Sequence, residues 1–83
     1  MNKMTDWPKD NQGRIFKEFK FKNYRQSFAF TSQVAMLSEK KNHHPTIILD
    51  YGKVVIKLIS HDVNAVTERD IDLAIQIDKI YSK

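Results

Sequence analysis

The segment TIILDYGKVVIKLIS, residues 46–60, decides the fold of this 83-residue chain. β-Branched residues dominate the segment on both sides of the tetrapeptide DYGK at 50–53, which is typical of a turn. The pattern predicts a hairpin with strands at about 46–51 and 54–60. Apolar residues occupy both faces of the later strand, which indicates a central or interface position in a sheet. One face carries Val54, Ile56 and Leu58, and the other carries Val55 and Ile59.

An amphipathic helix is predicted before this hairpin, over residues 24–41. Asn23 is a favourable N-cap, and apolar residues recur at spacings of three and four over about five turns. Pro45 disfavours the α conformation at the residue before it, so the helix is expected to end near Asn42 or His43. The broad apolar face of this helix consists of Tyr24, Phe28, Phe30, Val34 and Leu37.

The two ends of the chain add one hairpin and one helix. The run DNQG at 10–13 is typical of a turn and separates a short strand around Trp7 from a second strand in RIFKEFKFK, residues 14–22. Thr67 is expected to cap a final helix. The buried side of that helix is expected to include Ile71, Ala74, Ile75 and Tyr81. The predicted order is ββαββα, a single α+β domain over residues 1–83 with a four-stranded antiparallel sheet and both helices on one face.

The composition excludes several classes of protein. A hydrophobic content of 41% with 11% aromatic residues is too high for a disordered chain. Without cysteine, the chain has neither disulfides nor a cysteine-based zinc site. No apolar run is long enough to cross a membrane, and the N-terminus lacks the apolar stretch of a signal peptide, so a cytoplasmic protein is expected. The net charge of +4 comes without an arginine-rich run or an RNA-binding motif, so direct nucleic-acid binding is not expected.

The candidate chemistry lies in three histidines: the adjacent pair His43 and His44 before Pro45, and the single His61. Metal binding by the pair is disfavoured because adjacent helical residues point about 100° apart. Only a mixed site with His61 and carboxylates remains open, and no metal is predicted. Proton transfer is favoured because imidazole titrates near neutral pH, and His61 lies where a strand gives way to a loop.

Structural roles compete with these chemical ones. A histidine near a helix C-terminus interacts favourably with the helix dipole and the last carbonyl groups. Asp70 likewise fits a capping box that begins at Thr67. Glu39 could orient one imidazole if the helix persists as far as His43. Spacing alone leaves these alternatives open.

Taken together, these residues resemble the pterin-4a-carbinolamine dehydratase family, also called dimerization cofactor of hepatocyte nuclear factor. The resemblance extends from about residue 7 to residue 80. It rests on the spacing of Glu-x-x-x-His-His-Pro followed by a tyrosine, a lone histidine and Glu-Arg-Asp. The matching residues are Trp7, FKFK at 19–22, Phe28, Phe30, Glu39, Lys40, His43, His44, Pro45, Tyr51, Lys53, Val54, Ser60, His61 and ERDI at 68–71.

The resemblance implies dehydration of 4a-hydroxytetrahydropterin to quinonoid dihydropterin, a step that recycles tetrahydrobiopterin-type cofactors. It implies that His43, His44 and His61 are the catalytic histidines, with His43 and His61 as the acid/base pair and His44 mainly a binding residue. The supporting or substrate-binding positions are Glu39, Asn42, Ser60 and Asp70. No cofactor is expected, because the pterin is the substrate, and a homodimer or homotetramer is expected.

Two departures from the family pattern bear on these expectations. Asn42 stands where some relatives have an acidic residue, which removes a negative charge beside the imidazoles and is expected to change the rate or the pH optimum. The chain also starts close to Trp7, without most of the N-terminal helix that many members carry, which bears on assembly. The alternative function is a non-catalytic, dimerising protein-binding module, for which the family precedent is transcriptional coactivation by the mammalian member.

Overall fold

A computed structural model describes residues 4–83 of the chain, so residues 1–3 of the predicted domain lie outside the described part. Its elements are β1 (Ile15–Lys20), α1 (Tyr24–Lys41), β2 (Thr46–Leu49), β3 (Lys53–Leu58) and α2 (Glu68–Tyr81). The strands form an antiparallel sheet in the order β1-β3-β2. The α+β class, the hairpin of residues 46–60 and the central position of its second strand are therefore confirmed.

The predicted first strand, around Trp7, is not confirmed. The turn at 10–13 forms, with the Asp10 N–H donating to the Arg14 carbonyl at 2.8 Å, but pairing beyond it stops at a single bridge between Lys9 and Ile15. Pro8 gives the reason, because its carbonyl accepts from the Phe16 N–H at 3.0 Å while proline has no N–H to return. The described chain is consequently βαββα with a three-stranded sheet, and not the four-stranded ββαββα expected from the sequence.

One face of the sheet packs against both helices, as predicted. Alternate residues of paired strands share this face, and the register places Ile15 opposite Leu58 and Phe19 opposite Val54. The buried apolar cluster joins these strands to both helices. It consists of Trp7, Ile15, Phe19, Phe30, Val34, Val54, Ile56, Leu58, Leu73, Ala74 and Ile77.

The helix boundaries agree with those predicted from the sequence, whereas the residues that each helix buries differ in part from the prediction. In α1, Phe30 and Val34 are buried, but Tyr24 and Phe28 lie at the outer edge of the stripe and are exposed. Two serines take their places on the buried side, and their hydroxyl groups satisfy backbone carbonyls. In α2 the buried apolar residues are Leu73, Ala74 and Ile77. No helix within residues 4–83 is long and apolar enough to span a membrane.

Candidate active site

The end of α1 determines where the histidine pair lies. Asn42 adopts a left-handed conformation with φ 54° and ψ 41°, which asparagine tolerates better than most residues. The N–H groups of Asn42 and His43 then donate back to the carbonyls of Glu39 and Ser38, each at 3.1 Å. The helix therefore stops at Lys41, and His43 lies beyond it instead of on the helical face. Sequence reasoning had placed Asn42 in the site without this backbone role.

The imidazole of His43 contacts the carboxylate of Asp70 at the start of α2. Nε2 of His43 and Oδ1 of Asp70 are 2.6 Å apart, although the two residues are separated by 27 positions in the chain. The carboxylate is fully buried, and the imidazole is only 12% exposed. A contact with a buried carboxylate fixes both the position and the orientation of the ring.

Asp70 also forms the capping box of α2 with Thr67. Its Oδ2 accepts the Thr67 N–H at 2.9 Å, and the Thr67 side chain accepts from the backbone of the first helical turn in return. The predicted capping role of Asp70 is therefore confirmed, and the other oxygen of the same carboxylate contacts His43.

Ser60 completes the surroundings of this carboxylate. Its hydroxyl group donates to Oδ2 of Asp70 at 2.7 Å and lies 2.7 Å from the hydroxyl oxygen of Thr67. Ser60 is held there by the bridge that it forms with Ala65 across the turn after β3, and it is fully buried. The sequence had placed Ser60 in the site but had assigned Thr67 only to helix capping.

His44 forms a second pair with Glu39, at the surface. Its Nε2 lies 2.5 Å from Oε2 of Glu39, and the side chains are 56% and 78% exposed. Glu39 does contact one imidazole, but that imidazole is His44 because the helix has already ended before His43. The two neighbouring histidines therefore bind two different carboxylates, one buried and one in solvent.

His61 lies in the exposed turn 61–64, directly after Ser60. In the described part of the chain, 4–83, its imidazole makes no hydrogen bond or ion pair. The turn is tied to α2 by the Arg69 guanidinium, which donates to Oδ1 of Asp62 at 2.7 Å. This hydrogen bond lowers the pKa of the Asp62 carboxyl from its ordinary value of 3.8. His61 follows Ser60 in the chain, and Ser60 contacts Asp70, but no contact of the His61 side chain joins it to the His43–Asp70 pair within residues 4–83.

A small cavity of about 90 Å³ lies beside His43. It is lined by Lys41, His43, Arg69, Asp72, Leu73 and Gln76. This volume has room for about three water molecules, so a bicyclic ligand in contact with His43 must also extend onto the open surface. Two larger depressions, of about 500 Å³ each, include none of the histidines and lie along the later part of α2. The buried acid/base groups, and not the largest depression, therefore identify the candidate site.

The lining residues Lys41 and Gln76 were not predicted. In the sequence, a lysine and a glutamine in helices have no pattern that distinguishes them from solvated surface residues. In the structure both line the cavity beside His43, with Lys41 exposed and Gln76 half-buried. Within residues 4–83, no three histidine, aspartate or glutamate side chains gather in an arrangement that could hold a metal ion.

A comparison with protein families decides which family this site belongs to. A family model described as pterin 4 alpha carbinolamine dehydratase matches residues 1–80. The chain belongs to this family. A relative from Prochlorococcus marinus (strain NATL2A) is 48% identical over 80 residues, which cover 96% of this chain and 83% of the relative. Another from Alkaliphilus metalliredigens is 36% identical over 78 residues, covering 94% and 70%. Both carry the name pterin-4-alpha-carbinolamine dehydratase as a provisional assignment.

Solved structures of the family share the fold. A transcriptional coactivator/pterin dehydratase from Brucella melitensis superposes with a TM-score of 0.85 at 38% identity, covering 90% of this chain and 81% of that one. A pterin dehydratase-like protein described as a RuBisCO assembly factor in the alpha-carboxysome superposes with a TM-score of 0.79 at 27% identity, covering 95% and 93%. The family fold thus occurs in proteins described by different functions, so the activity has to be argued from the site.

Proposed function

We propose that this protein is a dehydratase that converts 4a-hydroxytetrahydropterin to quinonoid dihydropterin and water. The observation that carries the proposal is the contact of His43 with the buried carboxylate of Asp70, in a chain of the pterin dehydratase family. An imidazole held by a buried carboxylate is a common arrangement for proton transfer at neutral pH. The same reaction would recycle a tetrahydrobiopterin-type cofactor.

The reaction requires one proton acceptor and one proton donor. The N–H bond at N5 breaks, its electron pair forms the double bond between N5 and C4a, and the C4a–O bond breaks. The departing hydroxyl group takes a proton and leaves as water, so no oxidant or reductant is consumed. Two imidazoles in opposite protonation states supply both steps.

His43 is the proposed acceptor of the N5 proton. Asp70 occupies one ring nitrogen, Nε2, at 2.6 Å, which leaves the other nitrogen for the substrate. The negative charge of the carboxylate stabilises the imidazolium that forms when the proton arrives. Asp70 acts through His43 in this scheme and does not itself exchange protons with the pterin.

His61 is the proposed donor to the departing hydroxyl group, and His44 with Glu39 is proposed to bind the pterin. His61 is exposed and has no protein partner among residues 4–83, so a substrate can reach either ring nitrogen. His44 and Glu39 are also at the surface, where a pterin that extends beyond the small cavity would meet them. The pterin is the substrate in this scheme, and no further cofactor is required.

Stopped-flow measurement with freshly generated 4a-hydroxytetrahydropterin tests the proposal. The wild-type protein should accelerate formation of the quinonoid product over the spontaneous reaction. His43→Gln is the informative variant, because its side-chain amide can still donate to Asp70 while it has no basic nitrogen. We expect it to lose about 10²- to 10⁴-fold in rate and to keep its fold. Gln33→Ala, on the exposed side of α1, is the control that should retain full activity.

The absence of acceleration by wild-type protein would exclude the dehydratase. A His61→Ala variant with unchanged rate would exclude the role assigned to that residue, and an active His43→Gln variant would exclude His43 as the base. Each result removes a separate part of the proposal.

We also propose that the chain self-associates through its sheet. β2 is a short edge strand whose outer side pairs with no other strand within residues 4–83. Its Ile48 is 46% exposed on the face that points away from the helices. Unpaired edges and exposed apolar side chains favour contact with a second copy. Sedimentation at micromolar concentration should give a dimer or a tetramer, and an Ile48→Lys variant should dissociate. A monomeric wild-type protein would contradict this.

A further inference from the structure

Two hydroxyl groups lie behind Asp70, on the side away from His43: that of Ser60, which is buried, and that of Thr67, which is half-buried. Ser60 and Thr67 contact Oδ2 of the carboxylate or each other, whereas His43 contacts Oδ1. Neither hydroxyl group lines the cavity beside His43, and Ser60 has no exposed surface. Ser60 is therefore not placed to touch a substrate, and any effect of its hydroxyl group on the reaction must pass through Asp70.

The direction of each hydrogen bond in this group follows from counting protons. An ionised carboxylate only accepts, so Ser60 must donate its single hydroxyl proton to Oδ2. In the 2.7 Å contact between the two hydroxyl groups, Thr67 must then be the donor and Ser60 the acceptor. The Thr67 oxygen itself accepts backbone N–H groups, including that of Arg69 at 3.3 Å. All the donors thus point toward the carboxylate.

The remaining proton lies between Asp70 and His43. A carboxyl group is ordinarily more acidic than an imidazolium by more than about two pKa units, which places the shared proton on the imidazole. Two donors, the Thr67 N–H and the Ser60 hydroxyl, already occupy Oδ2, so Oδ1 is the oxygen that faces His43. With Oδ1 as an acceptor, Nε2 of His43 must carry hydrogen, and Nδ1 carries the lone pair when the ring is neutral.

We propose that Ser60 and Thr67 are positioning residues that, through Asp70, hold His43 in the tautomer protonated at Nε2, so that Nδ1 is the nitrogen that takes the N5 proton of the pterin. That the proton comes from N5 of a pterin rests on the proposed function. The tautomer of His43 is independent of that function, because it follows from contacts within the protein. Hydrogen bonds that all run in one direction polarise one another, which strengthens the bond to His43.

The tautomer of His43 is measurable by NMR without any substrate. Long-range ¹H–¹⁵N correlations on the ¹⁵N-labelled full chain distinguish protonated from bare ring nitrogens. Spectra are recorded at alkaline pH, where ordinary imidazoles are neutral. His44→Gln and His61→Gln variants assign the three histidines. We expect His43 to be protonated at Nε2 alone, and a wild-type ring protonated at Nδ1 would overturn the proposal.

The Asp70→Asn variant inverts this arrangement. The two donors at Oδ2 select the amide oxygen for that position, which places the amide nitrogen against Nε2 of His43. Because that nitrogen donates, the ring should change to the tautomer protonated at Nδ1 and lose its basic atom. We expect a rate loss of about 10⁴-fold, by analogy with the effect of a wrong histidine tautomer in serine proteases. An unchanged tautomer in this variant would contradict the assigned direction of the chain.

A matched pair of substitutions tests Ser60 itself. Ser60→Thr and Ser60→Val have nearly the same shape and differ in the hydroxyl group. We expect Ser60→Val to lower kcat by about tenfold with little change in KM, the effect of one weakened hydrogen bond, and Ser60→Thr to restore most of the rate. Ser60→Ala adds no volume and gives the same comparison against the wild type if the larger side chains destabilise the fold.

The outcomes separate this inference from the proposed function. Equal rates in the Ser60→Thr and Ser60→Val variants, or a loss that appears in KM alone, would show that the hydroxyl group does not act on His43. If the wild-type protein has no dehydratase activity, the proposed function fails. The NMR spectra would still decide the tautomer in that case, because they need no substrate.

Discussion

Asp70 should be among the polar residues on which the stability of this fold depends most. Its buried carboxylate accepts from the Thr67 N–H, the Ser60 hydroxyl and Nε2 of His43 at 2.9, 2.7 and 2.6 Å. Replacement by alanine leaves these donors without an acceptor and opens the capping box. Each buried group left unsatisfied costs about 1–3 kcal/mol, and these costs overlap because the donors share one acceptor. We therefore expect Asp70→Ala to destabilise the protein by about 3–5 kcal/mol, as for a broken buried ion pair.

The Asp70→Asn variant provides the matched comparison. Its amide oxygen still accepts from Thr67 and Ser60, so only the charge and the acceptor for His43 are lost. We expect a cost of about 1–2 kcal/mol, which leaves a gap of about 2 kcal/mol between the two variants. In a domain of this size, a gap of that magnitude corresponds to a difference in Tm of roughly 8–16 °C.

Urea unfolding followed by far-UV circular dichroism measures these differences, with the fluorescence of the single tryptophan, Trp7, as an independent probe of the core. Asp62→Ala is the control, because the bond of Asp62 to Arg69 is exposed to solvent and its loss should leave the midpoint nearly unchanged. If Asp70→Ala unfolds at the same urea concentration as Asp70→Asn, the hydrogen bonds from Thr67 and Ser60, which only asparagine keeps, do not stabilise α2.

Three smaller perturbations have equally definite outcomes. Asn42→Gly should leave the thermal midpoint nearly unchanged, whereas Asn42→Ala should lower the free energy of unfolding by about 1 kcal/mol, because of these two residues only alanine is strained at φ 54°. Calorimetry of the two variants measures the difference. Trp7→Phe keeps an apolar ring but loses the indole N–H donated to Asp78 at 3.1 Å, for a cost of about 1.5 kcal/mol in urea unfolding. The hydrogen bond from Arg69 lowers the pKa of Asp62 in the folded protein below its ordinary value of 3.8, which applies to the unfolded chain. The stability from this bond is therefore fully present above pH 3.8 and is lost as the pH falls through the pKa of the folded state. In Arg69→Gln, NMR titration should find the Asp62 pKa closer to 3.8.

Local patterns were sufficient to predict most of the fold. The alternation in residues 46–60 and the period of apolar residues after Asn23 each indicate one kind of element, and both elements formed. The prediction of a first strand failed because it was based on the turn at 10–13 and did not take into account that Pro8 has no N–H to donate to a neighbouring strand. The predicted buried face of α1 included too many residues, because Phe28 has the spacing of a core residue but is exposed in the structure.

The site was harder to predict because its contacts depend on backbone conformations that the sequence does not display. Glu39 lies four residues before His43, so a continuing helix would have paired these two. The left-handed conformation of Asn42 instead ends the helix and moves His43 to Asp70, leaving His44 for Glu39. Which histidine contacts Glu39 and which contacts Asp70 therefore depends on the left-handed backbone conformation of Asn42.

Asp70 couples the folding of α2 to the orientation of His43. A capping box ordinarily carries Glu or Gln at the third helical position, where a longer side chain reaches the backbone N–H of the cap. Here the position is fully buried, and Ser60 lies behind the carboxylate at 2.7 Å. A further methylene would drive the carboxylate into that hydroxyl group or away from His43. The shorter aspartate can satisfy the helix cap through Oδ2 while Oδ1 still faces the imidazole. The residue that completes the capping box of α2 is thus also the one that orients the ring of His43, so Asp70→Ala must change both, whereas Asp70→Asn keeps the cap and changes the ring.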